Sequence, residues 1–257
     1  MADEILCTVE DNIATVTLNR PEKRNALNTA ALAALVSTFA ELEARQDVRA
    51  VIIRGAGKVF CAGRDLRELG QQQESGEKGS IDIVEVFHWI ERSRHPTIAM
   101  VHGDALAGGC ELALHCDLRI AAEQARIGMP LARLGIVIPF DLTCKLLEII
   151  GPANTRQLLL TAQPVAGSRA LEMGMVHRVV PAEDIEKATY DLARTIAANA
   201  PLSLSGIKAT IQRAMVLKDQ IDHQDIDEMA HRARRSADAR EGVRAFLEKR
   251  PAVFRGE

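Results

Sequence analysis

The stretch Val101–Asp117, VHGDALAGGCELALHCD, constrains this chain more than any other. An apolar approach, Thr97 to Val101, leads into the small residues Gly103, Ala105, Ala107, Gly108 and Gly109. An apolar run follows, Leu112, Ala113 and Leu114, preceded by one carboxylate, Glu111. The pattern predicts a strand, a glycine turn and the first turns of a buried helix. N–H groups at a helix start have no partner within the helix and are free to meet developing negative charge. Glycines let a ligand approach that backbone closely. Glu111 falls within a turn of those donors, in apolar company, where a carboxylate is costly without a partner or a task.

The rest of the chain reads as scaffold around that turn. Residues 5–18 alternate apolar and polar about Asp11-Asn12, the signature of a β-hairpin. Asn19–Ala26 is a polar loop with three basic residues. Thr29–Arg45 has apolar residues at helical spacing, and Val48–Arg54 reads as a buried strand. Then comes a second strand–glycine–helix passage, Gly55–Leu69, GAGKVFCAGRDLREL, in which Asp65 and Glu68 have the spacing of a capping box. Gln71–Ser80 contains no apolar residue and is expected to be a mobile loop. A helix is predicted over 81–92, strands over 97–101, 118–122 and 175–181, and a loop over 125–138. Further helices are predicted over 140–150, 153–160, 168–173 and 183–200. From Ser203 onward the chain is almost all helix-forming and charged. The expected division is a strand-rich core, 1–200, and a C-terminal helical region, 201–257. The two strand–glycine–helix passages are similar enough to suggest a coiling repeat of ββα units, an α/β fold.

Totals exclude several functions. Thirty-two basic against 35 acidic residues give a net charge of −3, with no basic excess for a nucleic-acid surface. Five widely spaced cysteines form no CxxC pair, so buried reduced thiols are expected rather than a disulfide framework or a zinc half-site. No apolar run approaches the ~20 residues of a membrane helix, and MADEILCTVED resembles no leader peptide. A cytoplasmic protein without membrane, nucleic-acid or metal partners is the expectation.

Four stretches together carry a family likeness: NRPEKRNALN, GKVFCAGRDLREL, HGDALAGGCELALHCDLRIA and the tail EGVRAFLEKRPAVF. In order and spacing, from about Ile5 to Phe254, they resemble the crotonase superfamily, the enoyl-CoA hydratase/isomerase family. The resemblance implies a spiral of ββα units with a C-terminal helical region that builds homotrimers, often paired into homohexamers. It implies an acyl-CoA substrate and no separate cofactor. The thioester oxygen would sit between the backbone N–H groups of Arg64 and Gly108, which would stabilise an enolate. Arg64 stands where many relatives have alanine, but the donor is its backbone. The Ala62 carbonyl would accept from the adenine amino group. Arg24 would face the CoA phosphates, more so than Lys23, with Ala26 among the residues that hold the ligand.

Hydratases of this family generally use two glutamates. Glu111 matches the first, its alternative being a carboxylate bonded to backbone at a helix start. The second position, in GMPLARLG, is Leu131, which can neither take nor give a proton. The glycine-rich run expected next is replaced by IPFDLTCKL, which introduces Asp141. Asp141 either caps its helix or substitutes as an acid–base group, and with Leu131 it is counted among the acyl-binding residues. The implied activity is hydration of a trans-2-enoyl-CoA. A decarboxylase or other lyase, an isomerase and a weakly catalytic acyl-CoA binder are the alternatives that Leu131 leaves open. His88, His95, His102 and His115 show no metal or triad spacing. His88 borders the implied acyl pocket. Phe87 and Trp89 read as packing or pocket walls. Arg232, Arg234 and Arg235 read as a solvated face or subunit contact, and Lys249 and Arg250 as reaching a neighbouring subunit's CoA.

Overall fold

The structure is a computed structural model that describes residues 3–75, 81–215 and 224–253. A hairpin opens the chain. β1 (Ile5–Glu10) and β2 (Ile13–Leu18) pair antiparallel, and Asp11 and Asn12 turn between them with φ of 50° and 65°. Both are residue types that tolerate the left-handed region. From β2 onward the large sheet is parallel: β3 (Ala50–Gly55), β4 (Thr97–Val101), β6 (Leu118–Ala122) and β9 (Arg178–Val180), in the order β1-β2-β3-β4-β6-β9. Its strands are apolar at successive positions because both faces are covered. Val51, Ile53, Ala99 and Val101 face the main core with α1 (Thr29–Ala44), and Ile52, Ile98, Met100 and Ile120 face α7 (Ile185–Ala197).

A smaller sheet builds the site. After β4 the chain adds β5 (Ala105–Leu106) and α4 (Gly108–Leu114). After β6 it adds β7 (Arg126–Gly128), a 3₁₀ turn Pro130–Leu134 and α5 (Phe140–Thr161). After β3 it adds a bridge at Cys61, which pairs with Ala105, and α2 (Leu66–Ser75). Each coil therefore places one strand in the large sheet, one short segment in the small sheet, and then a helix. β8 (Val165–Ala166) closes the small sheet against β7, and α6 (Gly167–Glu172) follows it.

Several expectations need correction. The expected loop over Gln71–Ser80 is helical as far as Ser75, because glutamines and glutamate prolong α2 without an apolar face; residues 76–80 lie outside the described residues. The expected loop over 125–138 contains β7 and the 3₁₀ turn, both too short to show a period. Asp65 does cap α2, accepting from Arg67 N at 3.1 Å, but Glu68 does not reach back to it. Glu68 instead accepts from Thr29 N, at 2.9 and 3.2 Å, and so caps α1. Cys7 is exposed, on the solvent side of the edge strand β1, whereas Cys61, Cys110 and Cys116 are buried.

The C-terminal helices do not behave as one appendage. α8 (Pro201–Met215) is tied to the core by the buried Lys208, whose Nζ donates to Asp117 Oδ2 at 2.7 Å and His95 O at 3.0 Å. Its Leu202, Ile207, Ile211 and Met215 are exposed. α9 (Gln224–Arg235) exposes Arg232 and Arg235, and Arg234 is half-buried. α10 (Ala237–Leu247) packs on the core, burying Ala239, Val243 and Ala245. A Cβ at Gly242 would meet the Leu134 backbone at 2.5 Å, so α10 rests directly on the turn that carries Leu131. Arg250 pairs with Glu241 and Glu248 of its own chain; Phe254, the last residue of the tail motif, lies outside the described residues.

Candidate active site

Two glycine turns meet back to back. A Cβ at Gly63 (φ 91°) would come within 2.9 Å of Gly108 N, and one at Gly109 within 2.1 Å of Cys61 O. Only glycine permits this approach. A Cβ at Gly108 would stand 3.6 Å from Arg64 N. The N–H groups of Arg64 and Gly108, ~45 residues apart in sequence, are therefore neighbours. Among the described hydrogen bonds, neither donates to another protein group. Ala107, between β5 and α4, has φ 50° and ψ −122°, a conformation rare for a residue with a side chain. It is held there by its N–H bond to Gly128 O, 2.8 Å. This twist is what turns the Gly108 N–H out of the strand path.

Glu111 follows one turn later on α4, fully buried, and neither carboxylate oxygen has a hydrogen-bond partner. Burial holds its carboxyl well above the usual range, opposed by the positive charge of Lys145. The alternative in which Glu111 bonds backbone at the helix start does not hold. His115 lies on the next turn, its Nδ1 2.8 Å from Glu111 O and 3.9 Å from Glu111 Oε2. The bond to a carbonyl makes Nδ1 the donor, and burial pushes the imidazole down to about 4, so the ring is neutral.

The loop at Arg24 is welded to these turns. Asn25, buried with φ 54°, accepts from Arg20 N and donates to Ala56 O and Val59 O. Ala62 N donates to Arg24 O at 3.1 Å, and Leu27 N to Gly63 O at 2.7 Å. Arg24, Ala26 and Ala62 thus lie beside the first turn, and the Ala62 carbonyl accepts no backbone bond among the described residues. The Arg24 guanidinium is half-exposed and pairs with Asp104 at 2.9 Å. Asp104 also takes Arg126, whose hydrogen bond holds that carboxyl below its ordinary range. Arg126 is a basic neighbour that motif reading did not single out. Its signal would have been register: β7 lies beside β5.

Leu131 is partly buried against the main core in the 3₁₀ turn. Asp141 stands in the first turn of α5 and lines a different space, a cavity of about 720 Å³ shared by His88, Glu91, His115, Lys145, Glu148 and α8. Glu111 does not line that cavity. Asp141 thus shares its cavity with His115 and Lys145 rather than with Glu111. Phe87 is fully buried, but Trp89 is half-exposed and so is not a core wall. His88, Glu91 and His115 have donor atoms within 4.8 Å of one another, a cluster that motif spacing did not reveal because it joins two helices. The Lys145 ammonium, 2.6 Å from Glu91, already supplies positive charge there.

Residues 8–257 match the family model described as enoyl-CoA hydratase/isomerase. The chain belongs to the enoyl-CoA hydratase/isomerase family. It is 35% identical to the short-chain-enoyl-CoA hydratase of Clostridium acetobutylicum, with 96% of each chain covered. It is 36% identical to a putative enoyl-CoA hydratase/isomerase of Bacillus subtilis over the full length of both. Among solved structures, a carnitinyl-CoA hydratase from Mycobacterium avium superposes with a TM-score of 0.88 at 32% identity, covering both chains fully. A methylmalonyl-CoA decarboxylase in complex with 2-nitronate-propionyl-CoA superposes equally well, 0.88, at 28% identity and 99% coverage of each. The crotonase-type spiral expected from the sequence is therefore the fold. Among the described residues, no helix is long and apolar enough to cross a membrane.

Proposed function

We propose that this protein is an enoyl-CoA hydratase in which Glu111 is the sole acid–base residue. The observation that carries the reading is the buried, unpartnered Glu111 one turn beyond two adjacent unpaired N–H donors. The thioester oxygen lies between the N–H groups of Arg64 and Gly108. Glu111 takes a proton from water as the water oxygen bonds to C3. Electron density moves to the thioester oxygen, and the two donors stabilise that enolate. Glu111 then returns the proton to C2. Each oxyanion donor contributes about 3 kcal/mol. A carboxyl raised by burial suits a group that must both accept and give a proton near neutral pH. Arg24, with Ala26 and the Ala62 carbonyl, holds the CoA nucleotide, and Leu131 forms part of the acyl wall. No separate cofactor is required by this chemistry.

The test is loss of the enoyl-thioester absorbance when the protein meets crotonyl-CoA, beside Glu111→Gln. Equal rates in parent and variant would remove Glu111 from the mechanism. A second reading, decarboxylation of a malonyl-type CoA, is favoured by Leu131 at the second glutamate position and by the likeness to a methylmalonyl-CoA decarboxylase. Release of CO₂ without hydration selects it. The exposed apolar face of α8 supports assembly of 201–215 into a homotrimer or homohexamer, which light scattering would measure. The absence of a membrane-crossing helix among the described residues supports a cytoplasmic location.

A further inference from the structure

Arg64 brings more than a backbone donor to the site. Its guanidinium is 15% exposed, and its nearest carboxylate, Glu68, is 3.9 Å away, too far for a hydrogen bond. Among the described hydrogen bonds none has the guanidinium as donor, and the 3.9 Å approach to Glu68 is its described ion pair. The carboxylates around it among the described residues each hold another partner as well. Glu68 accepts from Thr29 N. Asp65 accepts from Arg67 N and from Arg20 Nη1. Asp82 caps α3 (Ile83–Arg92) through Val84 N at 2.9 Å. Arg234 adds like charge from α9. An arginine has five N–H donors in a rigid fork that matches a carboxylate. The fork is partly exposed and no described hydrogen bond fixes it, so its donors are open to a ligand that brings a carboxylate beside the two N–H groups. The place is informative as well. α3 borders the same space, since Ile83 Cδ1 lies 3.0 Å from where a Cβ on Gly108 would be.

We infer that the Arg64 side chain is a carboxylate-binding subsite for the acyl chain, and that the preferred substrate is the CoA thioester of a dicarboxylic 2-enoic acid. The inference rests on the reading that the Arg64 and Gly108 N–H groups hold the thioester oxygen. One residue then fixes both ends of the acyl group, the carbonyl through its backbone and the distal carboxylate through its side chain. The carboxylate is retained. A guanidinium hydrogen-bonded to it stabilises the ground state and would oppose its loss as CO₂.

The probes are a five-carbon 2-enoyl-CoA ending in a carboxylate and the neutral 2-pentenoyl-CoA, with the full-length parent, Arg64→Gln and Arg64→Lys. Every variant keeps the backbone N–H, so the readout is the ratio of the two kcat/KM values. The expected ratio in the parent is about 10 to 100 in favour of the carboxylated ester, the value of a charge-assisted hydrogen bond. Arg64→Gln brings it to about one, and Arg64→Lys restores part of it. A parent ratio of one or less, or the same ratio in Arg64→Gln, overturns the subsite. If the parent hydrates neither ester, the hydratase reading fails and calorimetry with the saturated pair, glutaryl-CoA and valeryl-CoA, decides the subsite. Tighter glutaryl-CoA binding that Arg64→Gln abolishes supports it, and equal affinities overturn it.

Discussion

Glu111 and Lys145 are two buried ionisable groups of opposite sign on adjoining helices, and the fold treats them in opposite ways. Lys145 is 5% exposed and donates to Glu91 at 2.6 Å and to Glu148 at 3.0 and 3.1 Å. Burial lowers its pKa, but the two carboxylates raise it by more, and the net is upward. The ammonium is therefore charged throughout the neutral range. Glu111 is fully buried and neither oxygen is bonded. The chain satisfies the charge that has a structural role and leaves unsatisfied the one placed at the two N–H donors. Groups left unsatisfied in this way are candidates for chemistry, because a bound substrate and water can supply what the protein withholds.

The largest test of this contrast removes the unsatisfied group. Glu111→Gln is expected to lower kcat for hydration by about 10²- to 10⁴-fold, with calorimetric affinity for a saturated acyl-CoA nearly unchanged. Removing the satisfied group should do the reverse. Lys145→Met leaves Glu91 and Glu148 facing one another and is expected to cost roughly 1.5–3 kcal/mol of stability. In a chain of this size that is about 3–12 °C in Tm by calorimetry, with a smaller change in kcat. A variant that kept its Tm but lost its activity would place Lys145 in the reaction and break the contrast. Leu131→Glu adds a second carboxylate in the 3₁₀ turn Pro130–Leu134, where we propose the acyl wall. A gain in hydration rate of about tenfold is expected if proton transfer by one residue is limiting; no gain would mean that the wall is shaped for other chemistry.

Much of this site is legible in the sequence. The glycines, Arg64, Gly108 and Glu111 fall in two local strand–turn–helix passages, and local spacing fixes where their backbones point. What was not legible depends on contacts between distant segments. Asp141 has the charge of an acid–base residue and the right place in the motif order, but the first turn of α5 directs it into the cavity with Lys145. Glu68 has capping-box spacing relative to Asp65, yet its carboxylate accepts from Thr29 N, 39 residues earlier. Trp89 looks like core by composition, and is half-exposed because the buried stripe of α3 runs through Val86, Phe87 and Ile90. The engagement of Arg24 with Asp104 and the docking of α10 on the Leu131 turn join segments ~80 or more residues apart, beyond what periodicity reports.

The smallest effect tests the reason for the contrast rather than its result. A carboxyl whose folded pKa is raised contributes stability that is fully present below its unfolded pKa, about 4.3, and is lost as pH rises through the folded pKa. At neutral pH wild-type Glu111 should therefore weaken the fold, and Glu111→Gln should melt higher, by about 2–4 °C for each kcal/mol recovered. The gap should close as pH falls towards 4. His115 acts in the opposite direction, since its pKa is pushed down to about 4 by burial and it withdraws stability as pH drops below its ordinary range. It is present in both proteins, so it shifts both curves and leaves the difference between them to Glu111. Calorimetric Tm values for parent and variant from pH 4.5 to 8 give that difference directly. A gap that stays flat across the range, or a variant that melts lower at neutral pH, would mean that Glu111 has found a partner and is not the unsatisfied member of the pair.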